Sequence, residues 1–465
     1  MKQRLECRLD LEDPTTEQGV LFDEARRDRR REVPPKLSKL RFKLGQKAKR
    51  EPKFRFYSLY GHLLREDVLQ TAWAVVRGSR GGRTPGVDGI AVHHIVNAED
   101  GVECLLDAIR EDLRGKDYRP DPVKRVEIPK ANGKTRPLGI PTLRDRIVQT
   151  AVLLLLEPIF EADFLDCSHG FRPERSAHDA VDEIESFVWK RYREVYDADL
   201  KGYFDSIPHD KLMKGLESRI SDRSMLALIR KFLRAPVKEG KGPPRRPKSG
   251  TPQGGVISPL LANSFLHWFD RAFHSKTGPG TWAKARLVRY ADDFVIMARF
   301  IDERILGWVE HVLEVRLGLT INREKTKVVN VEKEGSILEF LGFSIRWSRS
   351  HLPGGGPRYV RVEPSKSARK RARAHIRELT GPQMCFKPVQ EVIVSINRYL
   401  RGWLAYFGHG HPKQARWDLV RYAEHRVVRH LKRRSQRPYR PPDGVCLYDH
   451  VRDLGLLPVS EEARG

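Results

Sequence analysis

Cysteine is scarce in this 465-residue chain: Cys7, Cys104, Cys167, Cys385 and Cys446 are scattered, with no CxxC pair among them. That argues against a thiolate zinc module and against a disulfide framework, and it predicts a reduced, cytosolic compartment. Long apolar runs are missing too. The longest, Ala151 to Leu156, falls far short of the roughly 20 residues that span a membrane, so no membrane partner is expected. The charged start, Met1 to Asp13, predicts no secretory leader. Acidic residues are outnumbered: 61 Asp and Glu face 87 Lys and Arg, a formal net charge of +26. An excess of that size points to a polyanionic partner, nucleic acid before an anionic membrane surface. The 39% hydrophobic content suffices, at this length, for two or more domains with sizeable cores.

The basic residues form several segments. Glu24 to Arg55 reads as a basic arm, flexible or laid on phosphate, with Leu37, Leu40, Phe42 and Leu44 as apolar anchors for part of it. Helical periodicity follows over Tyr57 to Val76, then a glycine-rich basic loop over Arg77 to Gly89, either a linker or a site of close backbone approach. Val123 to Ile140 predicts two short strands around an Asn132-Gly133 turn. Lys130, Lys134 and Arg136 surround that turn, as a triphosphate clamp or as a solvated hairpin. Asp145 to Phe160 predicts an apolar core helix, and Ser168 to Ser176 a polar loop offering Phe171 and Arg172 to a nucleotide. The Gly254-Gly255 pair permits close approach to a ligand, with Gln253 beside it able to hydrogen-bond a base or sugar. Ile305 to Leu317 reads as helical and Phe340 to Ile345 as an apolar strand.

Beyond a boundary at Gly354 to Gly356, a stripe of Val389, Val392, Ile393, Ile396, Leu400, Trp403 and Phe407 predicts a core helix, with Arg398 and Arg401 on its polar face. Arg416 to Arg440 stays basic with Trp417, Tyr422 and Tyr439 interleaved, an RNA-surface composition or an ordinary solvated helix. His409-Gly410-His411 lacks a nearby third ligand.

The acidic residues that stand out are few. Leu287 to Ala298, L-V-R-Y-A-D-D-F-V-I-M-A, reads as two apolar strands around adjacent Asp292 and Asp293. Two carboxylates there are a divalent-metal site or a polar turn. Glu194 to Ile207 supplies a second acidic strand, where period-two alternation puts Asp197 and Asp199 on one face and Tyr196, Ala198 and Leu200 on the other. An Asp from one strand with Asp-Asp from a neighbouring hairpin meets the carboxylate requirement of two-metal phosphoryl transfer.

Y-A-D-D at Tyr290 to Asp293 resembles the reverse transcriptase hallmark, and D-A-D-L-K-G-Y-F-D at Asp197 to Asp205 the acidic motif before it. An ordered series resembles the group II intron-encoded reverse transcriptase/maturases: T-P-G-V-D-G from Thr84, R-P-L-G-I-P from Arg136, H-G-F-R-P from His169, T-P-Q-G-G-V-I-S-P-L-L-A-N from Thr251, E-K-T from Glu324, F-L-G-F from Phe340 and R-G-W-L-A-Y-F from Arg401. The resemblance implies an α+β right-hand polymerase: a basic arm over 1–55, fingers over 56–190, palm over 191–350, a maturase-type helical thumb over 360–425 and a basic extension over 426–465, a DNA-binding remnant. It implies Asp199, Asp292 and Asp293, with the Leu200 carbonyl, as ligands of two Mg²⁺ ions, and Lys325 as proton donor to pyrophosphate, with Lys327 a rival. Lys130 and Arg136 would contact the triphosphate, Gln253 the incoming nucleotide, and Phe204 the sugar, favouring deoxynucleotides. Arg172, Arg398 and Arg401 would contact RNA. No CxxC and no HNH-type module is present, so target-strand nicking is not expected.

The implied function is an RNA-directed DNA polymerase that binds intron RNA to assist splicing and mobility, with intron or template RNA, a DNA primer or target, and dNTPs as partners. Two alternatives are a domesticated relative in repair or phage defence, and an RNA-binding splicing factor with an idle polymerase. The charge excess carries its own test. RNA affinity of the full chain is expected to fall on the order of a hundredfold between about 50 and about 200 mM salt, measured by fluorescence anisotropy, because phosphate contacts release counterions. A flat response would contradict a phosphate-binding surface.

Overall fold

The computed structural model describes residues 33–129, 135–240, 242–350, 356–435, 437 and 439–458. The Asn132-Gly133 turn with Lys130 and Lys134, the arm before residue 33 and Gly354 lie outside the described residues. In chain order the principal elements are α1 (Pro35–Arg50), α2 (Glu66–Gly78), α3 (Gly101–Arg114), β1 (Val123–Pro129), β2 (Thr135–Ile140), α4 (Leu143–Glu161), α5 (Ala177–Trp189) and β3 (Glu194–Ala198). They continue with α6 (His209–Glu217), α7 (Arg223–Leu233), β4 (Val237–Glu239), α8 (Ser258–Phe273), β5 (Arg286–Tyr290), β6 (Asp293–Ala298), α9 (Glu303–Glu310) and β7 (Lys327–Asn330). The last are β8 (Leu338–Phe340), β9 (Phe343–Arg349), β10 (Arg358–Pro364), α10 (Lys366–Leu379), α11 (Val389–Tyr406), α12 (Lys413–Arg433) and α13 (Leu447–Asp453). Strand orders are β2-β1-β4, β5-β6-β3-β7 and β10-β9-β8. The chain divides into two compact units.

The first unit comprises Met1–Ser176, Ala198–Val295 and Asp302–Thr326. Its centre is α4, the helix expected over Asp145 to Phe160, which is buried on nearly every side. The Thr142 side chain caps it by accepting from the Asp145 amide. Helices α1 and α2 pack on α4. On α1, Leu37, Leu44 and Ala48 are buried while Phe42 is 63% exposed. At 100° per residue the first three share a face and Phe42 falls on the opposite one, so Phe42 is not an anchor as expected. Arg41 donates to the Leu154 carbonyl at 2.7 Å and pairs with Glu157 at 2.8 Å. Arg219 donates to the carbonyls of Ala48, Pro52 and Phe54 at 3.0, 2.7 and 3.0 Å, satisfying acceptors at and just beyond the α1 C-terminus.

The helix expected over Tyr57 to Val76 is two pieces, a 3₁₀ turn over Tyr60–Leu64 and then α2, because Arg65 is extended (φ −71°, ψ 136°). The break goes with ties on Tyr60: its amide donates to Asp222 at 2.8 Å and its hydroxyl to the Leu113 carbonyl at 2.9 Å. The glycine-rich loop is pinned from below. Buried Arg146 donates to the Gly81 carbonyl and, at 2.6 Å, to that of Thr84. Strands β1 and β2 pair antiparallel as expected, from Lys124↔Ile140 to Pro129↔Thr135.

The second unit comprises Ala177–Asp197, Ile296–Ile301 and Lys327–Gly465. The apolar run expected as one strand over Phe340 to Ile345 is the turn of a hairpin. Strands β8 and β9 pair with Phe340 opposite Phe343, and Leu341 (φ +49°) and Gly342 (φ +82°) are both left-handed. Two left-handed central residues match strand twist in a two-residue loop, and the Leu341 carbonyl accepts from the Tyr406 hydroxyl at 3.0 Å. The expected helical stripe is α11, with Val392, Ile393, Ile396, Leu400 and Trp403 buried. Helix α12 runs unbroken past position 425, and the segment after it returns to α11. Asn397 donates to the Gly455 carbonyl at 2.7 Å and accepts from the Leu457 amide at 2.9 Å, with Val451 and Leu456 buried. Residues 451–457 of the basic extension are thus packed chain.

His267 on α8 lies edge-on to Phe164 with ring centroids 5.7 Å apart. Burial pushes it from 6.5 down to about 4, with Asp270 opposing and Arg271, Arg289 and Arg172 adding to the fall. The unfolded chain therefore binds the extra proton first, so this stability is full above 6.5 and lost as pH falls through about 4. His267→Gln is expected to remove on the order of 2 kcal/mol from the loss of stability between pH 7 and about pH 4.5, followed by thermal melts. An unchanged pH slope would contradict this assignment.

Candidate functional site

Strands β5 and β6 are apolar and largely buried, and Ala291 and Asp292 join them. Ala291 is left-handed at φ +58°, which costs a non-glycine residue about 1 kcal/mol and has to be held by its surroundings. Asp292 is half-buried and Asp293, the first residue of β6, is exposed. In the sheet β6 is the neighbour of β3, and Asp199 follows β3 directly. The expected alternation is observed there, with Tyr196, Ala198 and Leu200 buried and Asp197 and Asp199 more open.

Asp199 is clamped from the segment before β7. Asn322 donates through Nδ2 to Asp199 Oδ2 at 2.7 Å, and its amide donates to the Asp199 carbonyl at 2.8 Å. Lys325 Nζ also lies on Oδ2, at 2.9 Å. Leu200 is buried with its backbone bridged to Ile321. Gly202 (φ +58°) then starts the helical turn Tyr203–Ser206. Phe204 is half-exposed there, with its ring 5.5 Å from Tyr203 and 6.3 Å from Phe171. Gln253 Nε2 donates to Asp205 Oδ2 at 3.2 Å, and its carbonyl accepts from the Gly139 amide at 2.5 Å. That approach requires glycine next door, since a Cβ on Gly254 (φ +105°) would sit 2.4 Å from the Gly139 oxygen. The buried Tyr203 hydroxyl is held well above its usual pKa by burial, with Arg289 opposing and the Asp292 and Asp270 charges adding to the rise.

The first unit thus contains Asp199, Leu200, Phe204, Gln253, Asp292, Asp293 and Lys325. Arg136 stands in β2 opposite Ile128, while Lys130 lies outside the described residues. Lys327, the rival to Lys325, pairs with Asp197 at 3.7 Å across the β3–β7 ladder. Arg398 and Arg401 are exposed on α11, on the same stripe as the exposed Val394. Arg172 departs from expectation. It is 4% exposed, and its guanidinium is taken up by Glu161 at 2.7 Å and by the Leu165 and Ser168 carbonyls, both at 2.6 Å. An arginine saturated by internal acceptors offers nothing to RNA. His409 is paired with Asp182 at 2.5 Å and stacked on His178, and His411 accepts from the Val362 amide at 3.3 Å.

Two features went unread in the sequence. One is Asn322, whose only signal is an amide side chain three residues before Lys325. The other is the buried set of Arg289, Asp270 and Asn263, whose signal is a charge inside each of two apolar runs, L-V-R-Y and F-L-H-W-F-D.

Carboxylates and a backbone carbonyl are the hard oxygen donors that Mg²⁺ takes, so the donor chemistry fits. Among the described residues no three His, Cys, Asp or Glu side chains are gathered tightly enough to hold a metal ion. Asp199 instead meets the Lys325 ammonium.

Residues 128–345 match the family described as reverse transcriptase (RNA-dependent DNA polymerase), and residues 369–442 the group II intron, maturase-specific domain. Protein YkfC of Escherichia coli (strain K12) is 37% identical over 366 residues, which is 72% of this chain and 94% of that one. The chain belongs to the group II intron reverse transcriptase/maturase family. Group II intron-encoded protein LtrA of Lactococcus lactis subsp. cremoris is 32% identical over 358 residues, 63% of this chain and 57% of LtrA. The putative COX1/OXI3 intron 2 protein of Saccharomyces cerevisiae is 26% identical over 402 residues, 74% of this chain and 43% of that one. The chain thus spans about half the length of these two longer relatives. As a reverse transcriptase/maturase family member it has the α+β right-hand polymerase fold and the family's general dependence on a divalent metal ion.

Removing the Arg172 side chain would strand Glu161 as a half-buried charge. Arg172→Ala is expected to cost about 2 kcal/mol or more, read as a lower unfolding midpoint, while the folded variant binds RNA as the parent does. Lost RNA affinity at unchanged stability would return Arg172 to the nucleic-acid surface.

Proposed function

We propose that this chain is the RNA-directed DNA polymerase of a group II intron. It adds deoxynucleotides to a primer 3′-hydroxyl on an RNA template with two Mg²⁺ ions, and it binds intron RNA in the cytosol to assist splicing and mobility. The observation that supports this most is the Asp199 carboxylate, held by Asn322 and Lys325 at the end of β3. Strand β3, which Asp199 follows, is the sheet neighbour of β6, the strand that opens on Asp293.

Asp199, Asp292 and Asp293, with the Leu200 carbonyl, would hold the ions. The chemistry a bound Mg²⁺ pair supplies is activation of the 3′-hydroxyl and neutralisation of charge on the departing pyrophosphate. Lys325, an ammonium on the Asp199 carboxylate, is the side chain suited to hand that pyrophosphate a proton. Lys130 and Arg136, the latter in β2, position the triphosphate as cations. Phe204 crowds the sugar where a 2′-hydroxyl would sit, and Gln253 orders the incoming nucleotide. Arg398 and Arg401 meet RNA phosphate from the exposed stripe of α11.

Primer extension on an RNA template with dNTPs and Mg²⁺ tests the enzyme. Asp292→Ala is expected to slow it on the order of a thousandfold or more, with template affinity unchanged and splicing assistance kept. No extension by the parent chain, or full extension by the variant, would overturn the reading.

A further inference from the structure

Arg289 is fully buried in the middle of β5, two residues before the acid turn. Its guanidinium makes three kinds of contact. Nε and Nη2 donate to the two Asp270 oxygens at 2.9 and 2.6 Å. Nη1 donates to Asn263 Oδ1 at 3.0 Å and to the Ala291 carbonyl at 2.9 Å. Asn263 passes the contact on, since its Nδ2 donates to the Gly170 carbonyl at 2.6 Å. Gly170 in turn lies flat on the turn: a Cβ there would fall 2.3 Å from the Ala291 nitrogen. The Arg289 main chain is tied to the same loop, its amide donating to the Cys167 carbonyl at 2.7 Å and its carbonyl accepting from His169 at 2.8 Å. Helix α8, strand β5 and the Cys167–Gly170 loop therefore converge on one left-handed residue, Ala291.

A fully buried ion pair is a weak source of stability, because an apolar pair of similar volume does as well or better. What an apolar pair cannot do is donate to the Ala291 carbonyl. The planar guanidinium can serve Asp270, Asn263 and Ala291 at once, which a lysine ammonium of fixed reach cannot.

We propose that Arg289, oriented by Asp270 and Asn263, is a positioning residue that sets the Ala291 turn and thereby aims Asp292 and Asp293 at the divalent metal. This rests on the reading of those two aspartates as metal-holding acids. Gly170 completes the brace by packing against the Ala291 nitrogen.

The test uses the full chain and the double variant Arg289→Met with Asp270→Leu, which fills the space of the ion pair with apolar side chains. Amide hydrogen exchange of the segment around Ala291 to Asp293 is followed by mass spectrometry, beside thermal melts. The Mg²⁺ concentration for half-maximal primer extension and the affinity for primer–template are measured on the same preparations. The double variant is expected to melt near the parent, to exchange at the turn about tenfold faster, and to need about tenfold more Mg²⁺ with primer–template affinity unchanged. A double variant that melts like the parent and keeps its exchange rate and Mg²⁺ requirement would overturn the proposal. Should the double variant not fold, Arg289→Lys decides the matter by the same readouts. Parent-like values in that folded variant overturn the proposal, and faster turn exchange with a raised Mg²⁺ requirement supports it. If the parent shows no extension at all, the polymerase reading fails by itself, and the exchange comparison still shows whether Arg289 sets the turn.

Discussion

Adjacent carboxylates at a tight turn repel each other, and much of the first unit is arranged around holding Asp292 and Asp293 there. A turn with a left-handed alanine is not self-supporting. It is supported from inside by the Arg289 guanidinium and from one side by Gly170, which has no side chain to push it away. Asp199 is held by different means, an amide and an ammonium on one carboxylate oxygen. The apolar strands and α4 supply the rigid frame, and a small number of polar contacts then decide where the acids point.

The net charge of +26 is a sum over two unlike populations. Arg146, Arg172, Arg219 and Arg289 are internal fasteners, each feeding several carbonyls or a carboxylate with its five donors. They hold loops and helix ends and are spent on the fold. Arg398 and Arg401 on α11 stay open to solvent, as do Lys36, Lys39 and Lys43 on α1. Arg172 and Arg398 look alike in the sequence, and only the first has a carboxylate and two carbonyls waiting for it.

The alternation in β3, the α11 stripe and the paired β1 and β2 were legible in the sequence, because burial imposes a period on side chains whatever they pack against. The hairpin at Leu341-Gly342 was not. An apolar run buried on both sides of its turn has no polar punctuation, and the reversal rests on two backbone conformations. Phe42 falls outside the core for a related reason: an apolar residue belongs to the core only if its face of the helix does.

The sequence by itself determined the family, since glycine placement and the order of the motifs are local and survive being read in one dimension. Tertiary structure alone decided the partners: Asn322 and Lys325 on Asp199, Glu161 on Arg172, and Asp270 and Asn263 on Arg289. Each joins residues distant in the chain, and a charge is assigned to the core or to the surface only when folding brings, or fails to bring, an opposite group to meet it.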